Sequence, residues 1–311
     1  MCHCTMLMGS VVLVVALPAA WAAERQELAA ELQDDRIAVS VDGKLFTAYK
    51  FATSQKYPYF WPVNGPVSEK SVTTESSQPY PHHHSLFFGC DKVNGGNYWQ
   101  DMNARGQIIS QGPKIVDASG VRVTFTDECL WERPGMEPVI RDTRQITISA
   151  PDDNLRFIDF DITLHMLTDV RIERTNHSLF SARVRPELSV ESGGRIVNAE
   201  GKENHEGTHG IPSVWCDYSG AWDDGAVEGM AIFQHPENRW YPAPWFTRDY
   251  GFFSPTRMNW LDEGHLEFKQ GETLRLRYRV VVHTGDAAAA DIAGLWQQYE
   301  QGAEQPKAEG S

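Results

Sequence analysis

Three consecutive histidines are the residues of this sequence best suited to chemistry. They occupy positions 82–84, and Ser85 separates them from the apolar run 86–89. Imidazole can act as a general acid or base near neutral pH, stabilise a developing oxyanion or ligate a metal. In an extended segment His82 and His84 would share one face and His83 would oppose them. The triplet therefore predicts a functional site at the mouth of a buried strand, with His83 or His84 exchanging the proton.

A second segment, residues 233–250, interleaves large rings with polar side chains. Aromatic faces can stack on the C–H faces of sugar rings, while histidine, arginine and amide groups bind hydroxyls. We expect His235 to be the acid–base counterpart of His83 or His84. Arg248 is expected to neutralise oxyanion charge that develops during the reaction.

A third segment, residues 200–220, adds histidines, carboxylates and rings, among them His205 and His209. Its carboxylates are candidates for acid–base work, although such groups are more often solvated loop charges. The predicted substrate-binding residues are aromatic or hydrogen-bonding side chains of these segments and of residues 57–101: Tyr59, Trp61, His82, Trp99, His209, Trp215, Asn238, Arg239, Trp245 and Tyr250. We expect the histidine loop, the 235–250 loop and the Trp215 region to meet in one cleft.

Strands must position these segments, because alternating apolar and polar residues recur along the chain. The alternation covers residues 37–41 and 44–51 around an Asp42-Gly43 turn, and then 121–131, 140–148, 155–167 and 274–282. The 155–167 strand is expected to contain a bulge, and residues 291–301 to form a helix. This pattern predicts an all-β fold, a large antiparallel β-sandwich with one short C-terminal helix.

The chain of 311 residues begins with a pattern typical of secretory signals. An apolar run at residues 11–17, too short to span a bilayer, precedes the small-x-small motif Ala20-Trp21-Ala22, although no Lys or Arg stands before it. We expect a signal peptide at 1–23, a single β-sandwich domain at 24–302 and a disordered tail at 303–311. The protein is then periplasmic or secreted.

Charge and cysteine content exclude several classes of function. The net charge of −14, without a Lys/Arg-rich run, argues against nucleic acid and anionic membrane partners. No later stretch is long enough for a membrane span. The mature cysteines, Cys90, Cys129 and Cys216, allow at most one disulfide and lack zinc-site spacing. No cofactor is predicted; a divalent metal stays open, since it would need further ligands such as His209 or His235. The sequence does not indicate an oligomeric state.

Residues 81–89 and 93–99, together with 231–251 and 271–285, resemble the methane oxygenase PmoA-like family. The resemblance covers most of residues 35–290, although members commonly carry Arg or a similar residue where His84-Ser85 stand here. Copper-dependent methane oxidation needs membrane helices, and this sequence offers none. The resemblance therefore implies a β-supersandwich similar to galactose mutarotase-like proteins. Related proteins act in carbohydrate metabolism, and this fold hosts epimerases, lyases and hydrolases.

These features together predict an exported carbohydrate-active enzyme that acts on a glycoside or uronide by histidine-based acid–base chemistry. Lyase, hydrolase and epimerase activities stay open, with a preference for C–O bond cleavage because His and Arg outnumber well-placed carboxylate pairs. The expected partner is a small-molecule or oligosaccharide substrate. One alternative is a non-catalytic glycan-binding protein, in which the histidines need not converge. Another is a metal-dependent enzyme with a histidine site.

Overall fold

A computed structural model describes residues 1, 26–100 and 102–304. The predicted signal cleavage region and residues 305–311 of the predicted tail lie outside the described residues. The strands, in chain order, are β1 (Leu28–Leu32), β2 (Arg36–Val41), β3 (Lys44–Lys50), β4 (Tyr59–Val63), β5 (Leu86–Gly89), β6 (Asp91–Val93), β7 (Gly96–Asn97), β8 (Gln107–Ser110), β9 (Lys114–Asp117), β10 (Ser119–Gly120), β11 (Arg122–Arg133), β12 (Met136–Asp152), β13 (Leu155–Met166), β14 (Val170–Glu173), β15 (Leu179–Arg183), β16 (Arg195–Asn198), β17 (Trp215–Ala221), β18 (Val227–Gln234), β19 (Trp245–Arg248), β20 (Phe252–Pro255), β21 (His265–Phe268) and β22 (Thr273–Thr284). The α-helices are α1 (Asn204–Thr208) and α2 (Ile292–Glu304).

Within the part of the chain that the structure describes, the strands form three sheets, and their ladders are antiparallel. The first sheet has the order β10-β1-β2-β3-β4-β5-β15-β20-β19. The second has the order β16-β17-β18-β22-β13-β12-β11-β8, with β9 also paired to β11. A small third sheet, β21-β14-β6-β7, lies beside them. The predicted antiparallel, mostly β architecture with a short C-terminal helix is confirmed.

The two large sheets pack face to face through aromatic side chains. Phe60 and Phe88 of the first sheet have ring centroids 6.4 and 6.3 Å from that of Phe160 on β13. Phe180 on β15 stacks on Tyr278 of β22 at 4.6 Å. Because side chains alternate along a strand, the neighbours of these residues lie on the outer faces, turned away from the opposite sheet.

Of the local features expected from the sequence, the turn between β2 and β3 is present and the bulge in β13 is not. Asp42 and Gly43 both have positive φ, 49° and 77°, as a primed two-residue turn requires between β2 and β3. The bulge expected in 155–167 is wrong, since β13 pairs with β22 in continuous register from Leu155 to His165. Phe157 breaks the apparent pattern because it lies on the outer face, where Arg279 packs over its ring.

The C-terminal helix α2 covers part of the outer face of the second sheet. Trp296 packs edge-on against Phe233 of β18, with ring centroids 5.5 Å apart. The residues under the helix form their own apolar cluster, which includes Trp215 and Val281. The helix therefore covers part of this face.

Within the described residues no helix is both long enough and apolar enough to cross a membrane. Cys90, Cys129 and Cys216 are buried free thiols. Burial raises the pKa of each of the three thiols, which keeps them protonated and unreactive at neutral pH.

A buried polar network joins the two large sheets inside the core. Asp142 pairs with Arg144 at 2.8 Å, and their side chains are 0% and 1% exposed. The indole N–H of Trp131 donates to the same carboxylate at 2.8 Å. Tyr49, from the first sheet, donates to Asp127 of the second sheet at 2.8 Å. Removing one member leaves another buried without its hydrogen-bond or ion-pair partner, which lowers the free energy of unfolding.

We therefore expect Asp142→Ala to lower the free energy of unfolding by about 3–5 kcal/mol, because it leaves the buried guanidinium of Arg144 without its carboxylate partner. The matched control is Arg171→Ala, which breaks an exposed ion pair with Glu267 and should cost about 1 kcal/mol or less. Urea unfolding of the two variants measures both values. Equal losses in the two variants would contradict the structural role assigned to the Asp142 network.

Candidate functional site

The histidine triplet lies in a turn that is hydrogen-bonded along its length. The N–H of His83 donates to the carbonyl of Tyr80 at 3.1 Å, and the hydroxyl of Tyr57 donates to the carbonyl of His82 at 2.7 Å. Ser85 has a positive φ of 51° and donates its N–H to Thr74 at 2.9 Å. Because this segment is not extended, the strict alternation expected for the triplet does not hold.

His82 and His83 instead line one cavity, while His84 is turned elsewhere. The cavity has a volume of about 230 Å³ and lies at the outer face of the first sheet. It is lined by polar and aromatic side chains: Tyr80, His82, His83, Gln100, Asn176, His177, Phe246, Arg248 and Tyr250. The histidine loop and the 246–250 segment therefore meet, as the sequence predicted for these two segments.

His83 is held between aromatic rings rather than by hydrogen bonds. Its ring stacks on Trp99 and on Tyr80, with centroid distances of 5.5 and 5.1 Å. Trp99 in turn lies against Gly89 of β5, where a Cβ would stand 3.2 Å from the Trp99 side chain. His83 is 1% exposed, and neither ring nitrogen has a partner among the described residues. Two unsatisfied buried nitrogens are costly, so they indicate a role beyond packing.

The histidines of the cavity are held in their neutral forms. Burial, reinforced by neighbouring His82, holds the pKa of His83 far below its usual range. Burial and the same neighbour lower the pKa of His177 to about 3. Burial also lowers the pKa of His82. At neutral pH each of these imidazoles therefore has one nitrogen that accepts a hydrogen bond and one that donates.

Arg248, at the end of β19, is held in place by one aromatic ring and by hydrogen bonds. Its guanidinium lies over the Phe246 ring, 4.1 Å from the centroid. It donates to Nδ1 of His209 at 3.2 Å and to the carbonyl of Thr247 at 3.1 Å. His209 must therefore carry its proton on Nε2, and burial together with the charge of Arg248 lowers the pKa of His209 to about 4.

A second arginine, Arg183, stands behind the cavity at the end of β15. It is 2% exposed, and its guanidinium lies 4.3 Å from the centroid of the Tyr250 ring. One Nη donates to Ser77 at 3.2 Å, whereas Nε and the other Nη have no partner among the described residues. Neither Arg183 nor Arg248 forms a salt bridge within residues 26–100 and 102–304.

His84 belongs to a neighbouring polar cluster on the same sheet face. Its Nδ1 donates to the carbonyl of Glu75 at 2.6 Å, and its ring stacks on Tyr59 at 5.0 Å. Glu75 accepts from Lys50 and from the hydroxyl of Tyr59. Trp61 is half-buried under the Lys50 ammonium, 5.2 Å from its ring. Tyr59 is covered by His84 and is not open to stack on a sugar, and neither Tyr59 nor Trp61 lines the cavity.

The expectation that His235 lies opposite His83 is wrong. His235 lines a separate cavity of about 450 Å³ on the outer face of the second sheet. The sandwich core therefore stands between the two histidines. Around His235 the charges are already compensated: Arg279 pairs with Asp159, and Arg277 with Glu237. His235 is excluded as the acid–base partner of the histidine triplet by its place in the fold.

Two of the predicted stacking tryptophans are core residues. Trp215 pairs with Phe233 in the second sheet and packs beneath α2, so it lies away from the cavity. Trp245 is 0% exposed, faces the core beside Phe253 and donates its indole N–H to Ser213 at 2.8 Å. Trp99 lies at the site but is 1% exposed, so it supports His83 rather than offering a free face.

Of the remaining predicted binding residues, two lie away from the cavity and two reach the site. Asn238 ties its loop to β22 through both the N–H and the carbonyl of Arg277. Arg239 lies in another groove, with its guanidinium over the Phe268 ring. His209 and Tyr250 do reach the site, the first through Arg248 and the second as part of the cavity wall.

Sequence reasoning missed His177 and Arg183. His177 is an isolated histidine in the loop after β14, and its ring lies 4.0 Å from that of Trp99. Arg183 ends the strand β15, whose preceding four residues are otherwise uncharged and buried. A charge at the end of a buried strand was a usable signal for Arg183; nothing in the local sequence of His177 pointed to the cavity.

The metal alternative finds no preassembled ligand set. Among residues 26–100 and 102–304, no group of three or more His, Cys, Asp or Glu side chains is arranged to hold a metal ion. The histidines of the cavity contact one another through ring faces and edges, as His82 and His83 do at 4.5 Å.

Comparison with known proteins gives a family but no activity. The profile of a family of unknown function, DUF6807, matches residues 36–297. The chain belongs to this family. The resemblance to the methane oxygenase PmoA-like family is not supported. A search of curated proteins finds no match.

Similar solved structures include an α-galactosidase from Lactobacillus brevis, at 9% identity and a TM-score of 0.37, covering 87% of this chain and 42% of that one. A galactose mutarotase related enzyme from Lactobacillus acidophilus has 10% identity and a TM-score of 0.34, with coverage of 82% and 96%. A GH36 α-galactosidase from Geobacillus stearothermophilus has 8% identity and a TM-score of 0.28, with coverage of 85% and 40%. The DUF6807 chain thus spans less than half of either α-galactosidase. Similarities this low do not assign an activity to this chain.

The low pKa values of the site predict a loss of stability in acid. An unfolded histidine titrates near 6.5, whereas His177 and His209 titrate at about 3 and about 4 in the folded chain. Between these values the unfolded chain binds more protons, so stability falls as the pH drops from about 6.5 towards 4. Thermal midpoints measured across this range should fall less steeply in His177→Gln than in the wild type. Identical slopes would contradict the buried, neutral state of His177.

Proposed function

We propose that this DUF6807 chain is a carbohydrate-active enzyme whose proton transfers are carried by His82, His83 and His177. The observation that carries the proposal is the cavity itself, in which neutral imidazoles and an arginine stand among aromatic rings. Its volume of about 230 Å³ suits a single sugar ring. Gln100 and Asn176 add amide groups that can bind hydroxyls.

The chemistry of the cavity favours proton abstraction over the two-carboxylate mechanism of most glycosidases. That mechanism needs a pair of Asp or Glu side chains flanking the scissile bond. The described lining contains none. A neutral imidazole has a nitrogen lone pair that can take a proton, and Arg248 can stabilise the negative charge that then develops on a substrate oxygen. Elimination or epimerisation therefore fits the lining better than hydrolysis.

His83 supports an enzymatic role more strongly than a binding role. A glycan-binding surface requires exposed rings, whereas His83 lines a small cavity, is almost completely buried and has two nitrogens without a partner among the described residues. Preserving such a group lowers stability, and a substrate that hydrogen-bonds to it offsets that cost. His84 has its Nδ1 occupied by Glu75, and we propose that it positions the loop rather than reacting.

Substitutions at the cavity are expected to affect turnover and not folding. His82→Gln and His83→Phe should each lower kcat by about 10²–10⁴, the usual cost of losing a general acid or base. His83→Phe should leave the thermal midpoint nearly unchanged, because it removes unsatisfied polar atoms at similar volume. The measurement is turnover on a glycoside and uronide panel with product masses, where water gain separates hydrolysis from elimination.

The matched control is His235→Gln, which changes a histidine on the opposite face and should keep wild-type turnover. Full activity in both cavity variants, or sugar binding by the wild type without any turnover, would contradict the enzymatic proposal. Loss of activity only in His235→Gln would transfer the chemistry to the second sheet.

We also propose that the protein is exported before it acts. The support is the apolar run at residues 11–17 followed by Ala20-Trp21-Ala22. Expression of the full chain in a bacterial host should yield a periplasmic or secreted product cleaved near residue 22 or 23, as measured by intact mass. A cytoplasmic product that retains Met1 would contradict export.

A further inference from the structure

We infer that the cavity takes a sugar bearing a carboxylate, a uronate, and that Arg248 and Arg183 hold its negative charge. The inference rests on the proposed carbohydrate-active function and narrows its substrate class. It begins from two cations on one face of the first sheet, on strands β15 and β19, which are separated by β20. Arg183 lies over the ring of Tyr250, and both Tyr250 and Arg248 line the cavity.

The burial of Arg183 without a carboxylate is the first step. Taking a guanidinium out of water costs several kcal/mol unless an anion or well-placed acceptors compensate it. The described neighbours of Arg183 provide one hydroxyl, from Ser77, and the face of Tyr250. A negatively charged ligand would supply the missing compensation.

Other buried arginines of this chain show how the fold satisfies a guanidinium that is only structural. Arg144 is paired with Asp142 through two of its nitrogens. Arg156 donates to two carbonyls, those of Asp152 and Leu155, each at 2.8 Å. Arg183 has neither arrangement, which distinguishes it from the arginines that hold the sandwich together.

Arg248 is the arginine that can touch the ligand. It is half-buried, lines the cavity and is steered by His209 and Thr247 rather than neutralised by an acid. The nearby carboxylate of Asp249 accepts the backbone N–H of His205 at 2.9 Å. Arg248 therefore presents its charge to the cavity, while Arg183 adds to the positive potential from behind Tyr250.

The lining of the cavity favours a singly charged sugar carboxylate over a phosphate. A planar guanidinium matches a planar carboxylate through two parallel hydrogen bonds. The remaining wall is made of amides, neutral imidazoles and rings, which suit hydroxyls and C–H faces rather than a second charge. The chain carries a net charge of −14, so a local pair of arginines is needed to attract any anion.

Isothermal titration calorimetry at pH 7.5 tests the inference with defined probes. The probes are the methyl glycosides of glucuronic and galacturonic acid, the methyl esters of both, methyl glucoside and inorganic phosphate. We expect at least one acid to bind about tenfold or more tightly than its own ester. Arg248→Gln should weaken binding of the acid by about 10–100-fold, and weaken binding of the uncharged ester by a clearly smaller factor.

Arg183→Met provides the second variant. It should weaken binding of the acid while the thermal midpoint stays the same or rises, because an uncompensated buried charge has been removed. A lowered midpoint with unchanged affinity would show that Arg183 is structural and overturn its part in the inference. The matched control is Arg185→Gln, two residues further along, whose side chain is 39% exposed and paired with Glu187; its affinities should equal those of the wild type.

The outcomes separate this inference from the proposed function. Equal binding of acid and ester would overturn the uronate assignment and leave a sugar site intact. Phosphate binding as tight as that of the acid would overturn the choice of a carboxylate. Absence of binding by all acids, esters and the neutral glycoside would overturn the carbohydrate proposal itself.

Discussion

The packing of the two large sheets against each other decides which residues can reach the site. Phe160 is surrounded by Phe60, Phe88 and Phe180, and this contact fixes which side of each strand is buried. A strand has a side-chain period of two, so the outer set follows once the inner set is fixed. Phe246, Arg248 and Phe252 are outer residues of the first sheet for this reason, whereas Trp245 and Phe253 are inner ones.

The packing of the two sheets also explains which features of the fold and of the site could be predicted from the sequence. Alternation in 37–41, 121–131 and 140–148 is a local property, and it predicted the strands and the sandwich. Which sheet a strand joins is not local. His235 follows β18 in the second sheet, and β19, with Arg248, belongs to the first, although only a short loop separates them. Grouping them as one site from their shared composition was therefore wrong for His235 and Trp215.

The histidine triplet illustrates a second limit of pattern reasoning. Its placement before a buried strand was predicted from the apolar run 86–89. The directions of its side chains were not, because the positive φ of Ser85 and the hydrogen bond to Tyr57 set them. Tyr57 is distant in sequence, so the consequence that His82 and His83 share a cavity depends on a tertiary contact. His177 and Arg183 enter the site through tertiary contacts of the same kind.

The two cavities with histidines differ in how completely their charges are balanced. Around His235, Asp159 and Glu237 neutralise the arginines of β22, and the ring nitrogen Nδ1 of His235 accepts the N–H of Glu237 at 3.1 Å. Around His83, both nitrogens of its ring and two of the three guanidinium nitrogens of Arg183 lack partners among the described residues. A fold can tolerate a few such unsatisfied groups because the buried Asp142–Arg144 network and the aromatic core stabilise it elsewhere. Unsatisfied polar groups that converge on one small cavity are arranged to bind something from outside, and this makes the smaller cavity the better candidate for chemistry.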